Sequence, residues 1–84
     1  MKQKYVYLVI IAYDDDEMTE AYSSMRKAKR FLAKELEAIL IKNEMASPKE
    51  KILSDFEKHK NEYFYLYNNE GHSYDGYIRK LAIQ

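Results

Sequence analysis

Apolar positions recur at helical spacing along one long stretch of the chain, residues 23–45. From Met25 through Leu32 to Ile39 the apolar residues lie three or four positions apart, which places them on one side of a helix. Neither glycine nor proline interrupts the stretch, and a serine hydroxyl at Ser23 or Ser24 can accept the free amide protons of a first helical turn. The pattern predicts a helix over residues 23–45, against which the remaining elements pack.

A second helix is predicted from Pro48 to about Lys60. Ser47 stands where a capping serine is expected, Pro48 suits the first helical position, and Glu50 can reach back to the cap amide. Because only a residue or two would separate the two helices, the pair is expected to form a helical hairpin or a kinked arm.

The N-terminal part of the chain has the pattern of a strand and a turn. Residues 4–13 are rich in β-branched and aromatic side chains, which predicts a strand, and the acids at 14–17 predict a turn. Residues 18–22 either return as a short strand or form an irregular lead-in to the helix, and we prefer the strand.

Two further strands are predicted after the helices. Residues 62–67 alternate at the period of a strand, residues 68–71 supply turn residues, and residues 73–83 form the partner strand. Gly76 is a candidate β-bulge. The sequence therefore predicts one α+β domain over residues 1–84: a small antiparallel sheet of three or four strands packed against a long helix and a shorter one, in the order ββααββ or βααββ.

Composition narrows the classes of protein. Fourteen acidic residues balance fourteen basic ones, which disfavours a dedicated duplex-binding protein. Cysteine is absent, which fits a reducing cytoplasm. The apolar run at residues 5–13 is too short to span a membrane and is followed by acids rather than by the small residues of a signal-peptide cleavage site, so we expect a cytoplasmic protein.

An acidic run occupies the first predicted turn: Asp14, Asp15, Asp16 and Glu17. Clustered carboxylates suggest a hard cation, but Thr19 and Met25 stand where an EF-hand loop needs glycine and glutamate. A solvated turn without a metal is the preferred interpretation, since consecutive acids point in different directions.

A basic row lies in the first half of the long helix, where Arg26, Arg30 and Lys34 follow one another at a spacing of four. Positive charge is unfavourable near the positive end of a helix dipole. The acidic turn could compensate this positive charge within the chain, or an anionic partner could do so from outside. A helix face that contacts only solvent is favoured over a phosphate-binding site.

Tyrosine dominates the aromatic residues: the chain has nine tyrosines, three phenylalanines and no tryptophan. Tyr65, Tyr67 and Tyr74 belong to the second pair of strands, which could stack bases or form a protein interface. In a purely structural interpretation, the tyrosines on one face of this strand pair cover the helices, and the other face is partly exposed to solvent. Since Phe64 and Leu66 alternate with the tyrosines, both faces are apolar, and this favours a binding or dimer surface.

No catalytic motif is recognisable. His72, Ser73 and Asp75 contain the residue types of a hydrolytic triad, but on a strand His72 points away from the other two. We expect neither an enzyme nor a cofactor.

In the first half of the chain, a strand, an acidic turn and a serine cap lead into a helix with a Lys27-Ala28 pair: KYVYLVIIAY, then AYSSMRKAKRFLAKEL. This arrangement resembles that of small proteins of phages and mobile elements in low-GC bacteria, including anti-CRISPR and other anti-defence proteins. The resemblance implies a non-enzymatic inhibitor in the cytoplasm of a bacterial host cell.

The leading hypothesis is an interaction protein that occupies a surface on a larger bacterial protein or nucleoprotein complex. The expected contact residues are Asp14, Asp15, Asp16, Glu17, Arg26, Arg30, Lys34, Tyr65, Tyr67 and Tyr74. The alternatives are a dimer that sequesters a nucleotide or other small ligand, with tyrosines on the base and arginines on the phosphate, and a weak nucleic-acid-binding protein.

Overall fold

A computed structural model describes residues 4–83 and confirms the α+β class and the order ββααββ. The elements are β1 (Lys4–Tyr13), β2 (Asp16–Tyr22), α1 (Met25–Lys42), α2 (Lys49–Lys58), β3 (Tyr63–Tyr67) and β4 (Ser73–Ile83). Of the two arrangements predicted, the one with two strands before the first helix, ββααββ, is therefore confirmed.

The four strands form one antiparallel sheet in the order β2-β1-β4-β3. Two hairpins, β1–β2 and β3–β4, are joined in the middle because β1 pairs with β4 along ten residues, from Lys4 opposite Ile83 to Tyr13 opposite Tyr74. β1 is therefore central, as its unbroken apolar run indicates.

The first hairpin turns more tightly than predicted. Tyr13 pairs with Asp16, so the loop contains only Asp14 and Asp15, and Glu17 belongs to β2. Asp14 has a φ of +49°, the kind of backbone angle that two-residue hairpin loops need and that aspartate tolerates better than most residues.

The long helix α1 begins at the serine cap but is shorter than predicted. The Ser24 hydroxyl accepts a hydrogen bond from the Lys27 amide at 3.2 Å. The helix ends at Lys42, after which the amide of extended Asn43 donates to the Ile39 carbonyl. Ala28, Leu32 and Leu36 form its buried side.

The predicted capping box of α2 is wrong. Pro48, not Ser47, is the cap residue, and no side chain caps the helix. The amides of Lys51 and Ile52 both donate to the Pro48 carbonyl instead. Because Pro48 lies at ψ 145°, outside the helix, Ser47 is one position too far away to cap it.

The connection between the helices is also longer than a residue or two, since it comprises residues 43–48. This segment pairs with the end of β3: the Ala46 amide donates to the Tyr67 carbonyl, and Met45 forms a bridge with Asn68. The segment that connects the helices is thus tied to the sheet. Helix α1 packs on β1, β4 and β2, whereas α2 packs on β3.

One hydrophobic core lies between the helices and the sheet. Its buried members are Val9, Ile11, Ala28, Leu32, Leu36, Ile52, Phe56, Phe64, Leu66 and Tyr74. Every strand residue in this set lies on the same side of the sheet, as alternation requires.

Gly76 is not a bulge. It pairs in continuous register with Ile11 on one side and Phe64 on the other. A Cβ at this position would collide with the ring of Phe64 and lie 3.0 Å from Leu32 Cδ1. The glycine is therefore required by close packing rather than by an irregular backbone.

Candidate interaction surface

Both helices lie on one side of the sheet, and within residues 4–83 no element covers the other side, which we call the open face. Side chains alternate along each strand, so the open face consists of the residues between the core positions. They are Lys4, Val6, Leu8, Ile10, Ala12, Glu17, Thr19, Ala21, Tyr63, Tyr65, Tyr67, Ser73, Asp75, Tyr77, Arg79, Leu81 and Ile83.

The tyrosines of β3 lie on the open face, not against the helices. Phe64 and Leu66 are buried in the core, whereas Tyr65 and Tyr67 are 58% and 52% exposed. Tyr63, 38% exposed, also contacts the His59 ring edge-to-face. The interpretation in which a tyrosine face covers the helices is therefore wrong, and the three rings form an exposed aromatic rim on an edge strand.

The centre of the open face is apolar. Ile10 is only 7% exposed, yet it does not belong to the core cluster, because it points away from the helices. Its cross-strand neighbours are Thr19 on β2 and Tyr77 on β4. Leu8 and Ala12, the next residues of β1 on this face, are half-buried.

Asp75 introduces a carboxylate into this apolar surface. It pairs in register with Ala12 and Tyr65, and its Oδ1 atom is shielded from solvent without a hydrogen-bond partner among residues 4–83. Burial raises the pKa of Asp75 above its ordinary value. A shielded acceptor without a donor costs free energy, which a donor from another molecule could recover.

Arg79 lies on the same face and strand, four residues beyond Asp75. Strand geometry separates the two positions by about 14 Å, too far for an ion pair within the chain. Arg79 is exposed, and no ion pair to it forms within residues 4–83. On β4 the open face thus carries two opposite charges that do not meet.

The acidic turn is attached to β4. Asp14 Oδ2 lies 2.7 Å from His72 Nδ1, and Asp14 Oδ1 accepts the Ser73 amide at 3.1 Å. The hydrogen bond from the Ser73 backbone, and then the one from His72, lower the pKa of Asp14. Asp15, Asp16 and Glu17 are exposed.

The basic row of α1 begins far from that turn. Arg26, Arg30 and Lys34 are exposed on the side of the helix opposite Ala28 and Leu32. The helix starts three residues after Tyr22, which pairs with Tyr7, about 20 Å along β1 from the turn. Within residues 4–83 the row makes no ion pair, so the hypothesis that the acidic turn compensates it is wrong.

Tyr74 is separate from the other predicted contact residues. It is 9% exposed, lies in the core and stacks on Tyr13 with ring centroids 4.7 Å apart. Burial raises the pKa of its hydroxyl. Because it pairs with Leu66, it points to the helix side, whereas Tyr65 points to the open face.

Sequence reasoning did not identify Asp75, Tyr77 and Arg79 as surface partners. The signal was available in the alternation of β4, which places these three residues on one face and Tyr74, Gly76 and Ile78 on the other. What the sequence could not supply is the register, which sets Tyr77 between Ile10 and Tyr63.

Among residues 4–83 no group of three or more acidic or histidine side chains is close enough to hold a metal ion. No helix there is both long and apolar enough to cross a membrane.

Comparisons of the chain with protein-family models, with curated proteins and with solved structures find no match, so the open face is judged on its geometry alone.

Proposed function

We propose that this chain is a non-enzymatic interaction protein that acts by binding other proteins through its open face. One observation carries the proposal: a sheet face with an apolar centre and an exposed aromatic rim that nothing in residues 4–83 covers. Tyrosine at a rim around an apolar centre is typical of protein interfaces, and large exposed apolar patches are uncommon on isolated soluble domains.

The resemblance to phage and mobile-element proteins supports a finer proposal. In it, the chain is an inhibitor that occupies a surface of a bacterial defence or host complex in the cytoplasm. The basic row, exposed and unpaired within residues 4–83, would then contact an acidic region of that complex.

Nucleotide sequestration is less well supported. That hypothesis uses tyrosines for the base and Arg26 or Arg30 for the phosphate. The tyrosine rim lies on the open face, whereas the basic row lies on the outer side of the helix layer. A single nucleotide cannot contact both within one chain, because the sheet and the helix lie between them.

The test compares two variants in bacteria that carry an active defence system. Tyr65→Ser/Tyr67→Ser removes the aromatic rim, and Ile41→Ser, a matched control, removes an apolar side chain that is 74% exposed on the helix layer. We expect the wild type and Ile41→Ser to raise the plating efficiency of a targeted phage, and the tyrosine variant to lose the effect at equal protein level. Equal activity of all three would contradict the proposal.

A further inference from the structure

We propose that the first occupant of the open face is a second copy of this chain, held by reciprocal Asp75–Arg79 ion pairs. The inference rests on the proposed function in taking the open face as the interaction surface, and it goes further by naming the partner and its geometry.

The register defines a symmetric centre on this face. Thr19, Ile10, Tyr77 and Tyr63 form one row across all four strands. On β4 the row falls at Tyr77, midway between Asp75 and Arg79, which lie about 7 Å to either side. The two opposite charges are therefore equidistant from a natural symmetry axis.

Two sheets can stack face to face with a two-fold axis along the strands or across them. An axis along β4 would place each Asp75 over its own copy, which like charges disfavour. An axis along the Tyr77 row reverses the strand direction of the second copy, and this brings Asp75 of each chain over Arg79 of the other. Only the second arrangement pairs the charges.

The rows on either side of the axis are complementary in size as well as charge. One contains Glu17, Ala12, Asp75 and Tyr65; the other contains Ala21, Leu8 and Arg79. In the stacked arrangement small Ala12 meets large Leu8. Tyr65 meets the place beside Arg79, where β3 has no paired residue because the strand begins at Tyr63. The ring can then contact the guanidinium group, a favourable cation–π pairing.

The shielded oxygen of Asp75 supplies independent support. Asp75 Oδ1 is shielded from solvent without a donor within residues 4–83. A guanidinium group from a second copy would supply charge-assisted hydrogen bonds to it, and arginine matches a carboxylate in a two-pronged geometry. A C2 interface requires that kind of self-complementarity.

The size of the face suits a small dimer. With strands about 4.8 Å apart and residues about 3.4 Å apart, the open face covers on the order of 500 Å² in plan, and more with side-chain relief. A stable interface buries about 800 Å² per partner. In the resulting four-layer assembly both helix layers lie outside, so the basic row of each copy stays accessible.

The experiment measures the mass of the purified chain by analytical ultracentrifugation over a range of concentrations. We expect wild type to sediment at twice the chain mass of 10.1 kDa. Asp75→Arg and Arg79→Asp should each weaken self-association at least about 100-fold, because each places like charges together. Circular dichroism checks that both variants remain folded.

Mixing provides the decisive step. An equimolar mixture of Asp75→Arg and Arg79→Asp should form a heterodimer, since each chain then carries one sign of charge at both positions. Arg30→Asp, a charge reversal on the helix layer, should leave the wild-type dimer unchanged. A wild type that stays monomeric up to about 1 mM, or single variants that fail to associate on mixing, would overturn the proposal.

The outcomes separate this inference from the proposed function. A monomeric wild type whose tyrosine variant still loses its cellular effect would refute the dimer and leave the function standing. A charge-dependent dimer with no cellular effect of the wild type would refute the function and leave the dimer standing.

Discussion

Two aspartates near the same end of the sheet have opposite environments. Asp14 is bonded to a backbone amide and to a histidine, which lowers its pKa, whereas Asp75 is shielded without a donor, which raises its pKa. Ionised Asp14 therefore supports the folded chain, and ionised Asp75 opposes it in the single copy.

The lowered pKa of Asp14 predicts an acid-dependent loss of stability. The ionised form stabilises the fold above the ordinary value of 3.8, and this contribution disappears as pH falls through the lower folded-state pKa. Asp14→Asn tolerates the positive φ but removes the charge. We expect its deficit in unfolding free energy relative to wild type to shrink from about pH 6 to about pH 2, as measured by urea denaturation.

Asp15→Asn is the control for that measurement, because Asp15 occupies the same loop and is exposed without such bonds in residues 4–83. It should follow the wild-type curve. A deficit of Asp14→Asn that is constant across the pH range would show that the charge of Asp14 contributes nothing.

Gly76 should tolerate no side chain. Gly76→Ala would force the Phe64 ring and Leu32 to move, and overpacking of this kind costs about 1–3 kcal/mol. Urea denaturation measures the loss. We expect the double variant Gly76→Ala/Phe64→Leu to lose less stability than the sum of the two single variants, because the smaller side chain relieves the clash; simple additivity would mean that the clash is not with this ring.

Asn68 is a residue whose role the sequence only partly indicated. The sequence pattern predicts a turn at Asn68, and the structure has one. The side chain is also 5% exposed and accepts hydrogen bonds from the amides of Glu70 and His72, both at 3.0 Å. Its amide group donates to Asn43, just beyond the end of α1. One buried asparagine therefore fixes the second hairpin to the long helix.

At the scale of elements, the two predicted serine caps had different outcomes. Ser24 caps α1, while Ser47 makes no cap because Pro48 takes the cap position. Ser24→Ala should lower the unfolding free energy by about 1 kcal/mol, and Ser47→Ala should have a clearly smaller effect in the same denaturation experiment. Ser23→Ala serves as a control at the neighbouring position. Equal losses of unfolding free energy for Ser24→Ala and Ser47→Ala would contradict the conclusion that only Ser24 caps a helix.

Strands and helices were predictable because each has its own period. The alternation in residues 62–67 and the three-to-four spacing of α1 decided the class of fold from side-chain pattern alone. The ends were less predictable. Helix α1 stops at Lys42 because residues 43–48 pair with the end of β3, a contact between segments that no local pattern encodes.

At the scale of the whole molecule, the interaction surface depends on strand order and register. The basic row and two of the three predicted tyrosines are exposed, as a sequence pattern can indicate. Tyr74 is not, since the pleat of β4 turns it into the core. The meeting of Ile10, Tyr77 and Tyr63 depends on β1 lying beside β4, which follows from packing across the whole chain.

Acidic and basic side chains are also separated in the folded molecule. The balance of fourteen acids and fourteen bases hides an acidic turn at one end of the sheet and a basic row that starts near the other. Complementary charges that form no ion pair with one another within residues 4–83 remain free to select a partner and its orientation.

The pairing of β1 with β4 also constrains how the chain folds as it is synthesised. Val9 pairs with Ile78, so the ribosome must add 69 further residues after Val9 before the middle of the sheet can close. Until then β1 can pair only with β2, and its other edge stays exposed. Contacts this distant in sequence slow folding. The nascent chain therefore passes through a stage in which its most apolar strand has an open edge, and there a chaperone or a neighbouring nascent copy can compete for it.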